Sequence, residues 1–133
     1  MTKERLLRYR DLQRERRQIQ ERMKELQLEL EAPRIQQASP EVARSAEAGR
    51  ALEQAVAQRE QLAARYCQLC ADIEAECNAI ETAIFSLPVR ERIVLRMRYI
   101  KGMRWEEICT VTHYSWRQVH RIHGVALARL TEK

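Results

Sequence analysis

The sequence predicts an all-α protein: two long helices folded back on each other as an antiparallel coiled-coil hairpin, followed by a group of short helices. Three observations predict it. Three Gly and three Pro are all that interrupt 133 residues, 32% of which are charged; that composition favours long solvated helices. Apolar residues recur with a three-four alternation over two long stretches. From Leu87-Pro88 onward the spacing of breakers shortens, and helices of one to four turns replace the long ones.

The first helix carries its seam at Tyr9, Leu12, Ile19, Met23, Leu26 and Leu30, with Arg16 at the one polar step. It stops at Ala32-Pro33, because the residue before a proline is pushed out of the helical region. Residues 33–40 read as a linker. Ser39-Pro40-Glu41 then has the form of a helix start: a hydroxyl cap, a proline at the first position and an acid in the first turn.

The second helix runs from about 40 to 86 with Gly49 as its one breaker. Its seam is Leu52, Val56, Arg59, Leu62/Ala63, Tyr66, Leu69/Cys70, Ile73, Cys77, Ile80, Ile84 and Leu87. A short linker between heptad helices favours an antiparallel hairpin. Folding about the linker sets Tyr9 against Tyr66, Leu12 against Leu62 or Ala63, Ile19 against Val56, Met23 against Leu52 and Arg16 against Arg59. The first helix then runs out opposite Ile73. The stripe Cys77–Ile80–Ile84 is left needing another surface, from the C-terminal helices or a second subunit, and a homodimer is expected on the coiled-coil part.

Val89–Ile100 forms the next helix, with Ile93, Val94, Met97 and Ile100 on one face, and Lys101-Gly102 breaks it. A short helix covers Trp105–Val111 with Trp105, Ile108 and Cys109 inward. Thr112-His113-Tyr114 is a turn. The last helix spans about Ser115–Leu130, with Val119, Ile122, Ala126 and Leu130 inward. Its start is doubly marked: Ser115 and Gln118 make a capping box, and Tyr114 and Val119 a hydrophobic staple. The expected division is 1–78 for the helical, oligomerising part and 79–133 for the C-terminal domain.

Charge is unevenly placed. Residues 1–40 hold 10 basic and 7 acidic side chains, residues 41–87 hold 4 and 8, and residues 88–133 hold 10 and 4. The C-terminal third therefore exceeds the net +5 of the chain, which points to a polyanion, most often nucleic acid. No run of 18 apolar residues exists to span a membrane, and the charged N-terminus lacks a signal peptide's apolar run. A cytoplasmic protein with reduced thiols at Cys67, Cys70, Cys77 and Cys109 is expected.

Short helix, tight turn and longer helix is the helix-turn-helix layout, whose second helix presents N-terminal residues to base edges in the major groove. At 100° per residue Arg117, Gln118, His120, Arg121 and Gly124 face away from Val119, Ile122 and Ala126. Arg matches guanine O6/N7 and Gln matches adenine N6/N7. A merely solvated face would carry acids, yet positions 113–130 contain none.

The stretch 87–130 resembles region 4 of sigma-70-type initiation factors. The resemblance rests on Leu87, Pro88, Arg90, Glu91 and Arg92 at its start, Arg98-Tyr99 ending that helix, and the turn Lys101-Gly102. It continues through Glu106-Glu107-Ile108 and the serine-led helix closing on Ala126, Leu127 and Leu130. It implies a sigma-70 region 4-like helix-turn-helix domain binding double-stranded DNA, with bacterial RNA polymerase as a further partner. It places Trp116, Arg117, Gln118, His120 and Arg121 on the bases, and Lys101, Arg104 and Ser115 on phosphates. Two positions depart from the family: His113 stands where a turn glycine is usual, and Gly124 where the helix carries alanine. No counterpart of sigma region 2 is present. By architecture and size, the helical extension on such a domain looks like the phage and prophage late-gene regulators of the ArpU and RinA type.

The remaining constellations are weaker. Cys67-x-x-Cys70 with Cys77 has poor zinc-knuckle spacing and no Gly-rich turn; Cys70 and Cys77 fall on the apolar stripe. No oxyanion loop accompanies a Cys–His pair, and no phosphate-cradling glycine loop is present. The expectation is no enzyme, metal, cofactor, membrane or small-molecule substrate. A sequence-specific transcription regulator leads. A small terminase-like packaging subunit and a polymerase-binding module remain open.

Overall fold

The computed structural model describes residues 1–31 and 42–132, with side chains in the second stretch from residue 46 onward. The expected linker 33–40 and the Ser39-Pro40-Glu41 start lie outside the described residues. Among those described, all regular structure is helical: α1 (Lys3–Glu31), α2 (Val42–Ile84), α3 (Val89–Leu95), a π-helical turn (Arg96–Ile100), α4 (Trp105–Thr112) and α5 (Trp116–Thr131). No described helix is long and apolar enough to cross a membrane.

The chain divides into two compact units, Met1–Arg14 with Ala71–Lys133, and Glu15–Cys70. The units interleave along the sequence, whereas the expected division cuts the chain once, between 78 and 79.

In the unit Glu15–Cys70 the two long helices run antiparallel. Arg65 donates to Glu15 at 2.6 Å and Gln20 donates to the Tyr66 hydroxyl at 2.8 Å. Ile19, Leu26 and Leu69 are buried here, while Leu52 and Val56 keep 39% and 40% of their surface exposed. The expected register is therefore corrected: Tyr66 meets Gln20, not Tyr9.

The other unit holds the reason. Leu6 and Tyr9 are buried in one cluster with Ile73, Ile80, Ile84, Leu87, Leu95, Tyr99, Ala126 and Leu130. Three isoleucines and three leucines make a more apolar surface than Leu52, Val56 and Arg59. The first turns of α1 slide toward it, since apolar area removed from water sets the choice among heptad-compatible offsets. Arg5 secures the position with two bonds to Glu76, at 3.0 and 3.2 Å; the bonds hold the Glu76 carboxyl below its ordinary pKa. Of the two surfaces expected to cover the stripe Cys77–Ile80–Ile84, the C-terminal helices do so, joined by the first turns of α1.

The same cluster seats the C-terminal helices on the end of α2. Arg96, in the π turn, grips Glu81 with bonds of 3.0 and 2.7 Å. The turn itself is wide because Lys101 N–H reaches back to Arg96 O (2.9 Å), before Gly102 at φ 67° reverses the chain. The buried set of this helix differs from the one expected. Val94, Leu95 and Tyr99 are buried, with Ile93, Met97 and Ile100 half-buried. Val94 joins a second cluster with Ile108 and Val119, flanked by Met97, Met103, Trp105, Cys109, Tyr114 and Ile122.

Candidate nucleic-acid interface

The site is built on α4, a three-residue turn and α5. α4 ends where His113 adopts φ 61°, ψ 20°, the left-handed conformation that its sequence position demands and that His accepts less readily than Gly. Two residues later Ser115, extended at φ −70°, ψ 160°, caps α5. Its hydroxyl accepts from Gln118 N–H at 3.1 Å, and its own N–H donates to Gln118 Oε1 at 2.9 Å. Tyr114 and Val119 pack in one cluster, completing the staple across the cap. The start of α5 is therefore fixed by two reciprocal side-chain-to-backbone bonds.

α5 buries Val119, His123, Ala126 and Leu130. Arg117, Gln118, Arg121, Gly124 and Val125 lie exposed on its other side. Arg117 and Arg121 form no ion pair among the described residues. Two exposed guanidiniums without an ion pair, at the start of a capped helix, have the fork geometry that matches a base edge bidentately. Gln118 is committed differently: its Oε1 serves the cap, leaving its NH2 as the free donor.

The structure gives His120 another place than an open reading position. It is half-buried between Trp105 and Trp116, with ring centroids 4.5 Å from each. Its Nε2 is enclosed with no hydrogen-bond partner. His120 here props Trp116, whose indole is 53% exposed beside Arg117. The stack continues inward: Trp105 meets His123 edge-on at 4.8 Å and carries the Arg98 guanidinium over its face at 4.5 Å. Such a cation–ring contact is favourable and orients both groups.

His123 is the core residue that sequence reasoning missed, in place of the half-buried Ile122. Its Nε2 lies 2.7 Å from the Tyr99 hydroxyl. Burial pushes the imidazole down to about pKa 4, and the charges of Lys3, His120 and Arg98 act in the same direction. Burial also raises the Tyr99 phenol, so a protonated phenol faces a neutral ring. Only the spacing of Trp116 and His120, four apart on one helix, foreshadowed this aromatic row; Trp105 and Arg98 reach it from other elements.

Of the residues expected on phosphates, Lys101 is exposed and without an ion pair among the described residues. Arg104, at the cap position of α4, donates to Glu107 at 2.8 Å. Ser115 sits at the N-terminus of α5, where helix N–H groups favour an anion. Among the described residues no group of three or more His, Cys, Asp or Glu side chains is placed to hold a metal ion.

Comparison with known proteins agrees with this geometry. Neither the curated proteins nor the solved structures yield a match. Residues 77–122, from the last turns of α2 into the first half of α5, match the family model described as sigma-70, region 4. The protein is thus all-α, two long helices followed by a sigma-70 region 4 domain of the DNA-binding helix-turn-helix kind.

Proposed function

We propose that this protein is a sequence-specific, non-enzymatic transcription regulator, a phage or prophage sigma-like activator of the ArpU and RinA type. It reads a promoter or operator in double-stranded DNA through the helix 115–130. The observation that carries the reading is the pair Arg117 and Arg121, exposed and without acid partners, on a helix whose start is locked by Ser115 and Gln118.

In this account Arg117 and Arg121 read bases, with the Gln118 NH2 as a third donor. Trp116 offers its indole to a thymine methyl, and His120 contributes by holding that indole. Lys101, Arg104 and Ser115 take phosphates, Arg104 exchanging Glu107 for the DNA. In this reading bacterial RNA polymerase is a second partner, a proposal supported by the sigma-70 region 4 match.

Homodimerisation retains one support. Leu52 and Val56 remain open on α2, a short apolar strip that a second copy would cover. Selection of bound duplexes from a random pool tests the whole reading. A recurring motif supports it, with two spaced copies for a dimer and one for a monomer. Absence of any enriched motif, with retained binding to polymerase, overturns it in favour of a polymerase-binding module.

A further inference from the structure

The first turns of α1 lie outside the stretch that matches sigma-70 region 4, yet they belong to the same compact unit as the helix-turn-helix. Three contacts fix them there: the buried pair Leu6 and Tyr9, the Arg5–Glu76 bridge, and Gln13, whose side-chain NH2 donates to Ile100 O at 3.2 Å. Ile100 is the residue before Lys101. The docking therefore brings α1 against the end of the π turn, next to Lys101, which is proposed above to meet phosphate.

Lys3, Arg10 and Arg14 are seven and four residues apart, so they share one side of α1, beside the face that carries Leu6 and Gln13. Their charges reach the helix-turn-helix. Burial lowers the Arg98 guanidinium from its ordinary pKa, and Arg10 and Arg14 lower it further, against Tyr99 and Glu106. Lys3 is felt by His123. Acids do little to neutralise the group: Asp11 stands 3.9 Å from Arg14. Among the described residues Lys3, Arg10 and Lys101 have no ion pair. Like charges gathered this way cost free energy that a polyanion offsets. The group is also continuous with the reading surface, because Arg98 lies on Trp105, Trp105 on His120 and His120 on Trp116.

We infer that the N-terminal turns of α1 are a second DNA anchor: Lys3, Arg10 and Arg14, with Arg98 and Lys101, bind the phosphate backbone flanking the element read by α5. The anchor rests on the DNA-reading function proposed above and adds contacts that carry no sequence information. It makes α1 both a structural strut of the domain and part of its ligand surface.

The test is the salt dependence of binding by the full chain to a duplex selected by the wild type and to an unrelated duplex. Each phosphate contact contributes about 0.9 to the slope of log K against log salt. Arg10→Gln/Arg14→Gln should lower that slope by about 2 on both duplexes while selecting the same motif. Arg10→Lys/Arg14→Lys should restore it. Lys3→Gln, which touches neither arginine, should lower it by about 1 and serves if the double variant loses its tryptophan fluorescence signature. Unchanged slopes for the glutamine variants, with the wild type binding normally, overturn the anchor and leave the reading helix intact. A wild type that binds no duplex at low salt overturns both.

Discussion

Replacing Ser115 by alanine removes one half of the capping box and leaves the other. The hydroxyl that accepts from Gln118 N–H at 3.1 Å is lost, while the backbone N–H at 115 still donates to Gln118 Oε1 at 2.9 Å. Loss of such a cap costs about 1 kcal/mol, within a range of about 0.5–2. Gly124 supplies the counterweight. It is exposed, and a Cβ built there would meet nothing within 4 Å, so Gly124→Ala should recover the full helix-propensity difference of about 1 kcal/mol. The two positions are about 13 Å apart along α5 at 1.5 Å per residue and share no partner, so their effects should add. Ser115→Ala should lower the urea midpoint by roughly 0.5 M at a slope of about 2 kcal/mol/M, Gly124→Ala should raise it by as much, and the double variant should match the wild type. Both tryptophans, Trp105 and Trp116, lie in this unit, so their fluorescence reports its unfolding. A Ser115→Ala variant as stable as wild type, or a Gly124→Ala variant less stable, would refute the reasoning: the cap would then not set the helix start, or an unseen neighbour would occupy the space beside Gly124.

Other outcomes follow from the packing and the buried histidine. Leu6→Ala, at a fully buried position among Ile80 and Ile84, should cost about 2–5 kcal/mol, whereas in the monomer Leu52→Ala should cost well under 1 kcal/mol at its exposed site; thermal melts of the two at concentrations that keep the chain monomeric separate the observed register from the expected one. Because His123 has a folded pKa of about 4, below the unfolded value of about 6.5, the unfolded chain takes up the proton first as pH falls. Stability present above about pH 6.5 should therefore decline toward pH 4, and His123→Gln should flatten that decline in urea midpoints. Sedimentation at tens of micromolar should give a dimer that Leu52→Glu/Val56→Glu converts to monomer; a monomeric wild type would remove the dimer.

What the sequence made legible is local. Ser115 with Gln118, Tyr114 with Val119, and the left-handed demand on His113 are all set by residues within four positions of one another, and the structure has each of them. The hairpin offset was not legible in the same way. A heptad seam is satisfied equally by alignments a heptad apart, and the choice is made by Leu6 and Tyr9 burying against Ile73, Ile80 and Ile84, a contact far apart in the chain. His123 was missed because a histidine in a basic stretch scores as polar; its core place depends on a phenol from another helix. The row Arg98–Trp105–His120–Trp116 likewise gathers residues from three elements, and it leaves His120 half-buried between two indoles.

The reading of α5 as the helix that specifies sequence is tested most directly by comparing the DNA motifs selected by the wild type and by Arg121→Ala from the same random pool. The account predicts a wild-type motif in which Arg121→Ala loses base preference at one position, at a cost of about 1–3 kcal/mol on the wild-type site, with the other positions unchanged. An identical motif from both proteins, with equal weakening on every duplex, would make Arg121 a phosphate contact and contradict the assignment.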